Sequence, residues 1–234
     1  MSLRVIGGEY RGRSLRPVKG MMTRPLLGQA REAIFNILGS RIEGATVWDL
    51  FAGTGATGIE ALSRGAAHVV FVEKARQAID VLRDNLRMLG ESATARARVL
   101  RGDAWDPAVE PGEAALLEPD LIFLDPPYAL VAEDPSRTVF RAHALVRRLR
   151  PGGVLCFHFE RGVLDVDDFD IPVDLRRYGR CAIAFLRRAE DAPAVRTESD
   201  ESFVGGDAET DAEGDRESAD PGLREEFQPD EADD

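Results

Sequence analysis

The sequence predicts an α/β protein built on one mostly parallel β-sheet with helices on both faces. Short apolar runs recur through the middle of the chain, at residues 47–50, 68–72, 98–100, 121–124 and 153–159. Segments with apolar residues at helical spacing lie between several of them. Such alternation is the pattern of parallel strands buried on both faces, each followed by a covering helix. Two last runs, 175–178 and 182–186, are close enough for a hairpin, which places one antiparallel strand at or near the sheet edge.

The elements follow in order. Residues 3–6 and 13–15 flank Gly7-Gly8-Glu9-Tyr10-Arg11-Gly12, predicting a short β-hairpin with a glycine-rich turn. A loop through Lys19-Gly20 and Arg24-Pro25 leads to a helix over about residues 29–38, where Ala30, Ala33, Ile34, Ile37 and Leu38 share a face. Strand 47–50 runs into a glycine-rich turn, 53–58, and a helix reaching 63–64. Strand 68–72 precedes a long helix, 75–89, with Ile79, Leu82, Leu86 and Leu89 on one face. Strand 98–100, strand 121–124, a helix over about 138–149 and strand 153–159 complete the core before the hairpin.

Charge divides the chain into three parts. Residues 189–234 carry 18 Asp and Glu against Arg196, Arg216 and Arg224, and almost no large apolar side chains. Such a stretch buries too little surface to offset the entropy of ordering it, so a disordered acidic tail is expected. Without it the net charge of −12 becomes +3, and the acidic balance says nothing against a nucleic-acid partner. Residues 1–40 form a basic N-terminal hairpin and helix. Arg4, Arg11, Arg13, Arg16, Lys19, Arg24 and Arg31 stand there against Glu9 within the first 31 residues, the footprint expected where a phosphate backbone docks. Residues 41–188 form the α/β domain. Cys156 and Cys181 lie in apolar runs without ligand spacing, predicting buried free thiols and a reducing compartment. No apolar segment is long enough to span a membrane and no signal-peptide pattern opens the chain, so a soluble, cytoplasmic protein is expected. His68, His143 and His158 stand apart from other ligand-type residues; each reads as structural or exposed, and no metal is expected.

Two motifs carry chemistry. The first is Asp49-Leu50-Phe51-Ala52-Gly53-Thr54-Gly55-Ala56-Thr57-Gly58, between a predicted strand and a predicted helix. Glycines there let the backbone approach a ligand closely. Glu73 ends the second strand, where a carboxylate can accept from ribose hydroxyls, and Asp103 follows the third. Asp49, Glu73 and Asp103 would thus converge at the carboxyl edge of the sheet. Three carboxylates repel a pyrophosphate and suit the adenosine and cationic sulfonium of S-adenosylmethionine, which is favoured over NAD. The second motif is Asp125-Pro126-Pro127-Tyr128, directly after strand 121–124. The prolines stiffen the loop and present the Asp125 carboxylate and Pro126 carbonyl as acceptors. An exocyclic amine held by both N–H groups would aim its lone pair at the methyl group, with Tyr128 stacking on the flipped base.

In these and further segments the chain resembles the bacterial RsmD family of small-subunit rRNA guanine-N2 methyltransferases, over roughly residues 3–188. The resemblance runs through Arg4–Arg13, Thr23-Arg24-Pro25, Arg31–Leu38, Asp49–Gly58, Ile59–Ala66, Phe71–Lys74, Asn85, Asp125–Tyr128 and Arg150–Gly153. The glycine-rich and Asp-Pro-Pro-Tyr motifs are shared by many amino-methyltransferases; the N-terminal hairpin and the Arg-Glu-Ala-Ile-Phe-Asn helix are the family-specific part. The resemblance implies a class I S-adenosylmethionine-dependent methyltransferase (Rossmann-like) seven-stranded sheet of order 3-2-1-4-5-7-6. It implies a donor pocket from Asp49, Phe51, Ala52, Gly53, Gly55, Glu73, Lys74, Asp103 and Ala104, and a guanine held by Asp125, Pro126, Pro127 and Tyr128. It further implies RNA contacts from Arg4, Arg11, Arg13, Arg24 and Arg31, with 16S rRNA in the 30S subunit or an assembly intermediate as partner; a monomer is the default expectation and not a reading of the residues. Leu26-Leu27-Gly28-Gln29 departs from the Thr- or Asp-containing segment usual in the family, and the acidic tail is not a family feature; solubility is its favoured role. Three rival functions remain: a DNA adenine-N6 or cytosine-N4 methyltransferase, for which no separate target-recognition segment is visible, a non-catalytic RNA-binding assembly factor, and a small-molecule methyltransferase, which the arginine-rich N-terminus disfavours.

Overall fold

The apolar runs are the strands of one sheet: β1 (Thr46–Leu50), β2 (His68–Glu73), β3 (Ala97–Arg101), β4 (Leu121–Leu124), β5 (Val154–Glu160), β6 (Val173–Tyr178) and β7 (Cys181–Arg187). In the computed structural model, which describes residues 3–18, 25–108 and 118–190 (backbone only at 25–27), they lie in the order β3-β2-β1-β4-β5-β7-β6. The expectations for Lys19-Gly20, for Thr23 and Arg24, and for the tail beyond residue 190 lie outside the described residues. Neighbours from β3 to β5 pair in parallel, and β7 is antiparallel to both β5 and β6, the order and edge that the sequence implies.

The helices are α1 (Pro25–Leu38), α2 (Ala56–Ser63), α3 (Arg76–Leu89), α4 (Glu91–Ala95), α5 (Tyr128–Glu133) and α6 (Pro135–Arg148). Two begin earlier than their periodicity suggests, because each opens on a proline that a first helical turn accommodates. At α6, Asp134 caps the helix by accepting the Arg137 N–H at 3.0 Å. The short helices α4 and α5 have no periodic stretch long enough to predict them.

Alternation along the strands sorts the core into two layers. Val47, Phe71, Phe123, Cys156 and Ile183 pack under α1, α2 and α3, whereas Trp48, Val70, Ile122, Phe157 and Ala184 pack under α5 and α6. Both cysteines are buried and free. Among the described residues no helix is long and apolar enough to cross a membrane.

The N-terminal segment is less regular than a hairpin: its one bridge is Arg4–Ser14, supported by hydrogen bonds from Val5 to Arg13 and from Gly12 to Val5. Its anchorage is instead tertiary. The fully buried Glu60 on α2 accepts the Ile6 N–H at 2.7 Å and the Gly7 N–H at 2.8 Å. Ser63 accepts the Tyr10 N–H through its hydroxyl and the Glu9 N–H through its carbonyl. Gly8 makes this contact possible, since at φ 76° a Cβ would stand 1.8 Å from the Ser63 carbonyl oxygen. Gly8→Ala is expected to cost about 1–3 kcal/mol for the backbone conformation alone, before the clash is relieved. Urea denaturation would measure this, and an unchanged midpoint would show that the segment contributes nothing to stability.

Candidate active site

The two motifs meet at the carboxyl ends of β1 and β4, which are adjacent in the sheet. Gly55, at φ 79°, is the residue before α2, and a Cβ there would meet Leu82 Cδ1 at 2.1 Å. Only glycine therefore lets α2 start this close to α3. The turn is held from three sides. Asp49 Oδ2 accepts the Gly58 N–H, Glu73 Oε2 accepts the Gly53 N–H, and Asn85 donates to the Thr54 carbonyl, at 2.8, 2.8 and 2.9 Å. Asn85 also exchanges hydrogen bonds with Arg16, so one buried amide ties the N-terminal segment to the glycine-rich turn.

Glu73 Oε1 accepts the Lys74 and Ala75 N–H groups and Oε2 accepts the Gly53 N–H, which fixes the carboxylate at the end of β2. Asp103 is exposed, with Oδ1 accepting from Trp105 N at 3.0 Å, and Ala104 beside it is buried. Phe51 takes φ 60°, the one positive value among the described non-glycine residues, and its ring meets that of Trp105 edge-on at 5.2 Å. Trp105, packed also by Arg141, belongs to this wall. Sequence reading missed it, and an aromatic two residues after the third acid was the available signal. A fixed ribose acceptor, an open glycine turn and an apolar wall fit the adenosine part of S-adenosylmethionine.

Asp49, in contrast, is withdrawn from the cleft surface at 3% exposure. Burial pushes its carboxyl up to about 8, with Asp125 and Glu73 adding to the rise and the Gly58 N–H and Arg31 opposing it. In the unfolded chain this group titrates near 3.8, so the folded state holds the proton more tightly. The associated stability is complete below about pH 4 and is lost as pH rises through about 8. Thermal midpoints are therefore expected to fall across that window, and Asp49→Asn should flatten the slope. An unaltered slope in the Asn variant would assign the dependence to other groups.

At the end of β4, Asp125 is partly exposed, Pro126 is buried, Pro127 is exposed, and Tyr128 opens α5 half-buried. The Asp-Pro-Pro-Tyr loop thus comes with a helix start that positions Tyr128. Around it lies a pocket lined by Ala30, Arg31, Thr57, Asp125, Cys156 and His158, among others. Arg31 differs here from its sequence-based expectation, and His158 proves to be structural at a place the sequence reading did not single out. Arg31, expected with the surface arginines, is 7% exposed and donates to the Arg4 carbonyl at 2.7 Å, because the charge of α1 faces Glu60 and Asp49 rather than solvent. His158, expected to be merely structural or exposed, is buried against the motif: its Nδ1 lies 2.7 Å from Asp125 Oδ1 and its Nε2 3.1 Å from the Tyr128 hydroxyl. Register could have found it. Leu124 pairs with Phe157, so the next residue on each strand is Asp125 and His158, on the same face. Arg4, Arg11 and Arg13 are exposed, whereas Arg24 lies outside the described residues.

The sheet order and the placement of both motifs define the fold of the class I S-adenosylmethionine-dependent methyltransferases. Solved structures agree. An Escherichia coli protein provisionally described as the methyltransferase yhhF covers 82% of this chain and 100% of its own at TM-score 0.62 and 28% identity. A Haemophilus influenzae protein provisionally described as the methylase HI0767 covers 81% and 100% at TM-score 0.60 and 26% identity. A family model described as conserved hypothetical protein 95 matches residues 3–186, and the chain belongs to this family, the RsmD family of the sequence resemblance. YlbH of Bacillus subtilis, provisionally named an rRNA methyltransferase, is 45% identical over 128 residues, 54% of this chain and 67% of that protein. Ribosomal RNA small subunit methyltransferase D of Escherichia coli is 36% identical over 126 residues, covering 54% and 60%. In that comparison the chain spans about three fifths of the relative's length.

Proposed function

We propose that this chain transfers a methyl group from S-adenosylmethionine to the exocyclic N2 of a guanine in 16S rRNA, with a 30S subunit or assembly intermediate as substrate. The single observation that carries the reading is the position of Asp125. Its carboxylate stands at the end of β4, next to the strand β1 that runs into the glycine-rich turn, and shares the His158 ring with Tyr128. That is where an amine acceptor must sit if the nitrogen is to face the methyl group. The relatives' names support rRNA as the nucleic acid.

Each residue has a defined task in this reading. Gly53, Gly55, Glu73, Lys74, Asp103, Ala104, Phe51 and Ala52 would hold the donor, and Asp49 would act through the Gly58 N–H by keeping the turn in place. When bound, the donor would supply an activated methyl group, with the S–C bond breaking onto sulfur as the N–C bond forms. Asp125 and the Pro126 carbonyl accept the two amine N–H groups, so the rate gain comes from orientation. The nitrogen then sheds one proton to Asp125 or to water. Arg4, Arg11, Arg13 and Arg24 would meet phosphates, while the buried Arg31 would serve the pocket. The protein would act as a cytoplasmic monomer.

Tritium transfer from labelled S-adenosylmethionine to 30S subunits lacking the modification, to naked rRNA and to duplex DNA tests the proposal. Label recovered as N2-methylguanosine in 16S rRNA is the expected result. Label on DNA alone would overturn the substrate, and no transfer to any of the three would overturn the reaction.

A further inference from the structure

His158 has both ring nitrogens engaged, Nδ1 by Asp125 and Nε2 by Tyr128, the first and last residues of the motif that would hold the base. An ionised carboxylate only accepts, so Nδ1 carries the hydrogen and donates to Asp125 Oδ1 at 2.7 Å. Nε2 meets the Tyr128 hydroxyl at 3.1 Å, and the two rings stand edge to face at 5.5 Å. The side chain is 7% exposed on the strand next to β4, so these contacts rest on the rigid sheet rather than on the loop. Pro126 and Pro127 fix the backbone of that loop but not the χ angles of Asp125, whose side chain is 38% exposed. Something else must stop the carboxylate from turning.

We propose that His158 is the positioning residue of this site: it clamps the Asp125 carboxylate, leaving Oδ2 for the substrate amine, and sets the direction of the Tyr128 hydroxyl. The proposal rests on the methyl-transfer reading above. It adds a residue that touches neither donor nor base and acts through two that do. Because an orientation error of about 1 Å can lower a rate on the order of 10²-fold, loss of this clamp is large enough to measure.

The protonation state of the ring gives the device a signature. The groups facing His158 are Asp125 from the end of β4, Tyr128 from α5 and Cys181 from β7, with Arg31 of α1 lining the same pocket. Burial lowers the imidazolium's affinity for its proton, but its hydrogen bonds to Asp125 and Cys181, with their charge interactions, outweigh it and raise the group to about 9. Below that pH, Nε2–H donates to the Tyr128 oxygen and the phenolic hydrogen is directed elsewhere. Above it, Nε2 becomes an acceptor and draws the hydroxyl hydrogen towards itself.

The test uses the full chain, S-adenosylmethionine and undermethylated 30S subunits, with His158→Ala and His158→Gln. The glutamine retains one donor and one acceptor without a titrating ring, and it guards against a fold too disrupted by alanine. His158→Ala is expected to lower kcat on the order of 10²-fold, with donor Kd, KM for the subunit and secondary structure little changed. His158→Gln should recover part of the rate and lack the change in kcat expected of the native protein as pH rises through about 9, where the Nε2–Tyr128 hydrogen bond reverses direction. Independently of activity, a downfield Nδ1–H proton resonance should be present in the native protein and absent from Asp125→Ala. Variants with native kcat and a native pH profile, or a native protein lacking that resonance, would overturn the proposal. A native protein that carries the resonance but methylates no nucleic acid would instead overturn the functional reading, and the positioning role with it.

Discussion

Glu60→Ala is expected to remove about 3–5 kcal/mol of stability, the range for breaking a buried charge interaction by deleting one partner. The fully buried carboxylate accepts from Ile6 N, Gly7 N and Arg64 Nε, at 2.7, 2.8 and 2.8 Å. Alanine leaves two backbone donors without acceptors in the interior and strips the Arg64 guanidinium of its counter-ion. Domains of this kind have stabilities of about 5–15 kcal/mol, so the loss is a large fraction of the total. Glu60→Gln should be intermediate, since its one amide oxygen replaces two carboxylate oxygens. Urea unfolding followed by circular dichroism measures both. A change below about 1 kcal/mol for alanine would mean that the N-terminal segment finds other acceptors. Limited proteolysis adds a second readout, because residues 3–16 should become cleavable before the core unfolds.

Asp125→Ala is expected to lower methyl transfer by on the order of 10²–10³-fold while leaving donor affinity nearly intact. The substitution would remove the proposed acceptor for the amine together with the hydrogen-bond partner of His158. The proposed donor pocket would be built from the ends of β1, β2 and β3, where the side-chain hydrogen bonds of Asp49, Glu73 and Asp103 do not involve Asp125. Calorimetric binding of S-adenosylmethionine therefore separates the two effects. Asp125→Asn keeps an acceptor and removes the charge, so its rate reports how much the carboxylate does beyond orientation. Native turnover in the alanine variant would move the amine-binding role to another residue. Weakened donor binding with native turnover at saturation would instead make Asp125 part of the donor pocket.

Much of the architecture was legible because apolar strands of a doubly covered sheet write themselves into the chain directly. Strand β4 was delimited to the residue at 121–124, and the other strands to within one or two residues at either end. Both motifs were visible for the same local reason: a glycine turn and a paired-proline loop declare their backbone demands in consecutive residues. What escaped depended on residues distant in sequence. Helices α4 and α5 are too short for a period to register, and α1 and α6 start on prolines that look like breaks. The hairpin expected at residues 3–15 is held less by its own pairing than by Glu60 and Ser63 on α2.

By itself, then, the sequence determined the sheet, its order through the family resemblance, and which residues stand at its carboxyl edge. The tertiary structure alone decided which edge residues face one another and how deeply each is buried. Asp49 and Glu73 look equivalent along the chain, yet one is sealed beneath α2 with its carboxyl pushed up to about 8 and the other stands half-exposed at the end of β2. Arg31 and Arg11 are both arginines of a basic segment, yet only the first turns inward. His158 acquires its place through the pairing of β4 with β5, across 33 residues from Asp125. Burial and register are properties of packed surfaces: desolvation and hydrogen-bond geometry depend on neighbours that the chain brings together only when it folds.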